Sequence, residues 1–536
     1  MKILTVILLV LFFALMISVG LYSRQKATDV NGFVLGGRSV GPWLTAFAFG
    51  TSYFSAVIFV GYAGQFGWNF GLASTWAGLG NAFIGSLLAW NILGRRTRVM
   101  TQHYDAKTMP DFFGKRFDSK GLKIAASVIV FIFLIPYTAS LYNGLSSLFG
   151  LVFDIPYWVV IAVMAVLTGA YVIFGGYMAT AINDFIQGII MLFGIAAVII
   201  SVVAQNGGIV NAMKDLSAIS GDAGWAGAYS SFLGPDPLAL LFVVILTSLG
   251  TWGLPQMVGK FYAIKSENDI HKGTVISTIF AIIVAGGCYF LGGFGRLYEG
   301  NPLLKINEAT GKPLFDTIVP AMLSTLPNFV IAIVIVLVLS ASMSTLSSLV
   351  LTSSSTFTLD VIKPMAKKEM DDKKTVFIMR LFIVFFIVVS AVIAVIKDSI
   401  PGLTFIAQMM GVSWGALAGA FLAPFLYSLY SKKVTKASVA VCFVWGCSIA
   451  VFQMVISLAK ISVAGWGPIF GYIFKSSINS GVIAMVGGLA IVPLISLVTK
   501  KPDEKIVADA FSSYERTITV KAKDSLNYED EEVVQK

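Results

Sequence analysis

Six hydroxyl side chains fall within nine residues at Ser340-Ala341-Ser342-Met343-Ser344-Thr345-Leu346-Ser347-Ser348. They sit inside an otherwise apolar run, with Phe329 to Leu339 before them and Leu349-Val350-Leu351 after. A run this apolar reads as a membrane helix. At 3.6 residues per turn, Ala341, Ser344, Thr345 and Ser348 share one stripe. A site built of neutral oxygens, without thiol or imidazole, suits a hard monovalent cation such as sodium. Close helix packing accounts for the same residues, because small and hydroxyl side chains let membrane helices approach and can bond their own backbone. Spacing alone leaves both readings open.

A second candidate is Asp184, in Ile182-Asn183-Asp184-Phe185-Ile186-Gln187. A carboxylate this close to an apolar helix is a candidate for function. It also suits the N-cap of a helix at the membrane surface. Two further stretches interrupt apolar runs. They are Gly50-Thr51-Ser52-Tyr53-Phe54-Ser55 and Gly250-Thr251-Trp252-Gly253-Leu254-Pro255-Gln256. Both predict helices broken near mid-membrane, either as independent kinks or as a matched pair.

The elements that must position these residues are membrane helices. The chain has 536 residues, of which 57% are hydrophobic and 12% charged, and its mean hydropathy is +0.84. That balance excludes a soluble domain. The net charge of +10 is read as loop asymmetry across a bilayer, not as a nucleic-acid surface. Cys288, Cys442 and Cys447 have no metal-ligand spacing, and His103 and His271 lie far apart in polar loops. No catalytic residues and no cofactor are expected. A polytopic membrane enzyme is the distant alternative, and it lacks the paired acid–base groups it would need.

Thirteen apolar runs are expected as helices: 4–22, 42–66, 71–93, 121–150, 156–177, 183–204, 237–262, 272–298, 328–358, 376–396, 402–430, 436–458 and 480–499. Lys2 before the first run raises a signal peptide, but no small-residue cleavage pattern follows, and the run is read as an uncleaved helix. With the N-terminus outside, the inside segments hold 30 of the 38 Lys and Arg. Lys260 is counted with the inside loops, and no Arg or Lys is expected mid-membrane. The 37 residues from Lys500 read as a disordered cytosolic tail ending in Tyr528-Glu529-Asp530-Glu531-Glu532. The two broken helices lie five helices apart. Five is odd, so two five-helix units in series insert with opposite orientation, which is the layout of an inverted repeat.

Four ordered motifs resemble the sodium:solute symporter family over nearly the whole chain. They are Phe33-Val34-Leu35-Gly36-Gly37-Arg38-Ser39, Phe174-Gly175-Gly176-Tyr177 through Gly188, Gly253-Leu254-Pro255-Gln256, and Met343-Ser344-Thr345-Leu346-Ser347. The resemblance implies an all-α membrane protein with 13 transmembrane helices. They would form a leucine-transporter-type 5+5 inverted repeat with one extra N-terminal and two extra C-terminal helices. One transmembrane domain would span 1–499. It would comprise a first helix and loop (1–41), repeat one (42–204), repeat two (237–430) and the last two helices (436–499), followed by the tail 500–536. The resemblance implies sodium as coupling ion and a first site from the carbonyls of Thr51, Phe54 and Ala341 and the hydroxyls of Ser344 and Thr345. It further implies a second sodium site from Asp184, Ser344, Ser347 and Ser348.

The expected activity is sodium-coupled import of a small organic solute at the cell membrane by alternating access, with the C-terminus cytoplasmic. The partners are the solute, sodium and the lipid bilayer, with no nucleic acid and no obligatory protein partner. Thr51-Ser52-Tyr53-Phe54-Ser55 looks more like the pantothenate and monocarboxylate branches than the proline branch. In the proline branch an Asp stands at the position of Tyr53 and a Trp at that of Val57. A carboxylate-bearing solute is therefore expected: a monocarboxylate, a pantothenate-like acid or an amino acid. A proline-type or sugar symporter of the same family is the alternative. The cavity candidates are Tyr53, Ser55, Tyr137, Trp252 and Gln256.

Overall fold

The structure, a computed structural model, describes residues 2–152, 156–307, 311–398, 406–515, 519–520 and 533–534. The start of the expected helix 402–430 and the acidic run Tyr528 to Glu532 lie outside the described residues. Among the described residues, ten helices are long and apolar enough to cross a membrane. A bent pair, Pro237–Gly253 with Pro255–Ala263, is an eleventh candidate.

Thirteen separate helices are not counted by that criterion, and the difference has a physical cause. The expected helices 156–177 and 183–204 are joined as Tyr157–Gln205, whose only non-helical residue is Gly176 (φ 53, ψ −144). The expected 42–66 helix divides instead, into Pro42–Tyr53 and a segment that resumes at Val57 with wide turns and ends at Phe70. Gly71, with φ +60, then turns the chain towards the next helical run.

The hydroxyl-rich helix, Asn328–Phe357, is the centre of the molecule. Its apolar window is 83% buried within the protein, against 22% for the first span, Ile3–Lys26. Hydropathy alone cannot separate a lipid-facing helix from an enclosed one. Tyr157–Gln205, Lys120–Val152, Asp372–Asp398, Pro42–Tyr53 and Lys2–Ser23 pack around it. Ile406–Tyr430, Lys436–Leu458 and Ser477–Val498 form a separate three-helix group to one side.

The Gly36-Gly37-Arg38 turn fixes how the first broken helix begins. Arg38 has φ +54, and its guanidinium donates to the carbonyls of Tyr262 (3.3 Å), Thr101 (3.3 Å) and Ala106 (2.8 Å). Burial alone would raise the Asp105 carboxyl, but Lys107 and Arg38 outweigh it and hold it below the usual carboxylate range. Beside this turn, the Val40 N–H donates to the Ala263 carbonyl (3.2 Å) and the Lys265 N–H to the Val40 carbonyl (2.9 Å). The head of one broken helix is thereby tied to the tail of the other.

The tail is not wholly without structure. Glu504–Ser512 is a helix with Val507, Ala510 and Phe511 buried. Asp503 caps it by accepting from the Lys505 N–H. The Arg116 guanidinium lies over the Phe511 ring at 5.2 Å, and Asp509 Oδ1 sits 3.1 Å from His103 Nε2. The tail helix thus docks on the end of the molecule that carries Arg96, Lys107 and Arg116, the basic end.

A Cβ at Gly176 would lie 2.7 Å from the Phe33 carbonyl oxygen, on a backbone with positive φ. Gly176→Ala is predicted to destabilise the protein by about 1–3 kcal/mol. Gly286→Ala, at a helical glycine with nothing within 4 Å of its Cβ, is predicted to be neutral or to stabilise by about 0.5–1 kcal/mol. Thermal unfolding of the two purified variants in detergent checks the contrast, and equal effects would refute it.

Candidate functional site

The helix from Pro42 stops at Tyr53 because Phe54 takes an extended conformation (φ −81, ψ 111). A helix end leaves its last carbonyls without intrahelical donors. In the middle of a membrane no water is at hand to take them. The hydroxyl helix does so. Ser344 Oγ donates to the carbonyls of Thr51 (3.2 Å) and Ala341 (3.1 Å). Thr345 Oγ1 lies 3.1 Å from the Thr51 oxygen, 3.3 Å from that of Phe54 and 3.2 Å from that of Ala341. The five residues expected for the first sodium site are therefore brought together, all with zero exposure.

The chemistry of this set fits a monovalent cation. Two hydroxyl protons serve five contacts to three carbonyls, so lone pairs outnumber donors. All five contacts exceed the ~2.7–2.8 Å usual for O–H···O bonds. None of the five residues carries a charge, and no group of three or more His, Cys, Asp or Glu with metal-site geometry occurs among the described residues. A divalent ion would call for carboxylates.

The residues expected for a second sodium site are arranged differently. Asp184 is fully buried in the interior of Tyr157–Gln205, so it is no surface N-cap. Lys260 Nζ lies 3.6 Å from its Oδ2 and donates to Ser348 Oγ at 3.0 Å. Ser348 Oγ is in turn 2.9 Å from Ser52 Oγ. Ser347 Oγ donates to the Ser344 carbonyl of its own helix, while the Ser344 hydroxyl faces the first cage. The Lys260 ammonium thus contacts two of the four, Asp184 and Ser348.

Lys260 is the buried charge that the sequence reading does not place at the site. Counted with the loops there, it is 3% exposed on the second half of the broken helix. One signal was present: Gln256 and Lys260 are four residues apart after Pro255, which puts them on one helix face. Both line a small cavity whose walls include Lys107 and Thr108 at the basic end and Ser348 in the interior.

The remaining cavity candidates divide by how their polar atoms are used. The Tyr53 hydroxyl and both amide atoms of Gln256 are buried without a hydrogen-bond partner among the described residues. Ser55 lies beside Tyr137, whose ring meets Trp414 edge-on at 6.1 Å. Trp252 Nε1 donates to the Ile84 carbonyl (3.0 Å), which makes it an anchor between helices. Unpaired buried polar groups are costly unless a ligand or water completes them.

Comparison with known proteins gives the family. The model of the sodium:solute symporter family matches residues 33–446. The osmoregulated proline transporter OpuE of Bacillus subtilis is 29% identical over 505 residues, covering 94% of this chain and 96% of the relative. The sodium/proline symporter of Staphylococcus aureus (strain JH9) is 29% identical over 525 residues, covering 94% of each. The structure of a Na+-coupled sialic acid symporter in a substrate-bound outward-open state superposes with a TM-score of 0.73. That pair shares 16% identity, with 93% of this chain and 98% of that one covered, so the likeness is one of fold. The cage, the broken helices and the family match lead to one conclusion: this chain is a multi-pass membrane transporter of the sodium:solute symporter family, with sodium as its coupling ion.

Proposed function

We propose that this symporter imports a small carboxylate-bearing solute through a site at the Thr51–Ser55 break. The observation that carries this reading is the five-oxygen cage between that break and the hydroxyl helix. Thr51 and Phe54 offer backbone carbonyls to the cage, while Tyr53 and Ser55 offer side chains next to it. Ion and solute would thus order the same five residues, and each would raise the affinity for the other, as linkage requires. The helical backbone that resumes after the break presents its N-terminal end, which favours a carboxylate. Relatives described as proline transporters at 29% and 26% identity support a carboxylate-bearing solute. Tyr53 and Val57, in place of the Asp and Trp implied for the proline branch, argue against proline itself.

In the proposed topology the basic end is cytoplasmic and the N-terminus lies outside. The positive-inside rule supports this, as does docking of the tail helix on the same end. Dividing Tyr157–Gln205 at Gly176 and Val57–His103 at Gly71 yields thirteen crossings. The breaks after Tyr53 and Gly253 then fall in the second and seventh, as an inverted repeat requires. The cage draws its oxygens from two elements, so separating them would release the ion, and this is how sodium would gate alternating access. An uptake assay in vesicles with labelled monocarboxylates, pantothenate and amino acids tests the solute class. Sodium-independent or unsaturable uptake would refute it.

Ser344→Ala and Thr345→Ala are each predicted to raise the half-saturating sodium concentration by about 5- to 150-fold, equivalent to ~1–3 kcal/mol for one lost ligand. The half-saturating solute concentration should change far less. Sodium titrations of uptake check this, and unchanged sodium dependence in both variants would remove the cage from the mechanism.

Gln256→Cys, in a background lacking Cys288, Cys442 and Cys447, reports on access. A membrane-impermeant thiol reagent should reach it from the basic side, and adding sodium should change the labelling rate. Identical rates with and without sodium would argue for a static path.

A further inference from the structure

The buried pair of Asp184 and Lys260 holds a charge that the coupling mechanism does not use. Asp184 belongs to the long helix Tyr157–Gln205 and has zero exposure. Neither carboxylate oxygen accepts a hydrogen bond from a described residue. Its neutralising partner is the Lys260 ammonium at 3.6 Å. A buried carboxylate stays ionised only beside a cation. The family resemblance gives that role to sodium, with Ser344, Ser347 and Ser348 completing its shell. In the structure the hydroxyl of Ser348 is already committed to Lys260 Nζ at 3.0 Å. Ser347 is turned to its own helix. The ring of Tyr177 lies 5.2 Å from the same ammonium and closes another side.

We propose that the Lys260 ammonium is a tethered cation standing where a second sodium would sit, so that this protein couples one sodium to each solute. The inference deepens the symport reading given above and rests on it. A sodium ion added beside Lys260 would place two positive charges against one carboxylate, with no further anion among the described residues within contact of the pair. The lysine reaches Asp184 from the Pro255–Ala263 half-helix and Ser348 on the hydroxyl helix. Through Ser348 it reaches Ser52, next to the cage residue Thr51. The resident charge therefore touches the same two elements that form the sodium cage. Because it is covalently held, it neutralises Asp184 in every turnover without leaving with the solute.

The test counts sodium ions on the purified full-length protein by equilibrium binding of radiolabelled sodium, with no solute needed. Wild type should bind one ion. Lys260→Gln should bind two, because Asp184 is left as an uncompensated carboxylate beside Ser348. Lys260→Gln combined with Asp184→Asn should return to one, and Lys260→Arg should remain at one. In proteoliposomes the sodium Hill coefficient should rise from one towards two on Lys260→Gln. Charge carried per neutral solute should rise from one towards two as well. Two ions on wild type, or one ion on a folded Lys260→Gln variant, would overturn the tethered-cation proposal and leave the symport reading intact. If Lys260→Gln does not fold, the wild-type count decides alone. No sodium on wild type would overturn the symport reading, and this proposal with it.

Discussion

Carbonyl groups released at a helix break in the middle of a membrane must find partners, and much of this molecule is arranged around that requirement. An unsatisfied backbone group in hydrocarbon costs several kcal/mol. The break after Tyr53 is therefore tenable only where another element brings donors or an ion to it. The hydroxyl helix brings the donors. Its Ser344 and Thr345 lie within hydrogen-bond reach of the freed carbonyls, and the oxygens together form a cage. This is why a helix of such apolar sequence is almost wholly enclosed by protein. Its polar stripe serves two neighbours, the first broken helix and Lys260 of the Pro255–Ala263 half-helix, and lipid could not replace them.

The same logic explains the mixture of rigid and interrupted elements. Helices away from the centre, such as Lys436–Leu458, run unbroken with ordinary caps, here a reciprocal Thr435–Ser438 capping box. Three departures from regular helix flank the candidate site: after Tyr53, at Leu254 before Pro255, and at Gly176 eight residues before Asp184. Local rules of helix formation are broken there because the surrounding packing compensates.

Much of this was legible from residue order. The hydroxyl stripe, the interruption at Thr51–Ser55 and the Gly-Leu-Pro-Gln break are local patterns, and the five residues that the family resemblance names lie within reach of one another. What was not legible depended on depth. Lys260 reads as a loop lysine because a single cation after a proline break gives no sign of how far into the membrane it lies. Asp184 reads equally well as a cap or a core group, and only the enclosing helices decide. Trp252 looks like a cavity wall, but its indole N–H is committed to the Ile84 carbonyl. The tail's short helix was hidden by its charged surroundings. Its apolar side is only Val507, Ala510 and Phe511, too few to stand out without the basic surface on which they rest.

The backbone link between Val40 and Ala263–Lys265, braced by Arg38, has a consequence for how the molecule can move. It fastens the entry of the first interrupted helix to the exit of the second, using main-chain hydrogen bonds that no side-chain rearrangement can undo. At this end the two helices form a single lever. In the proposed alternating access, opening would shear along the boundary between that lever and the hydroxyl helix, which the cage of Thr51, Phe54, Ala341, Ser344 and Thr345 spans. The fulcrum would then lie in the peptide backbone, with the ion as its latch.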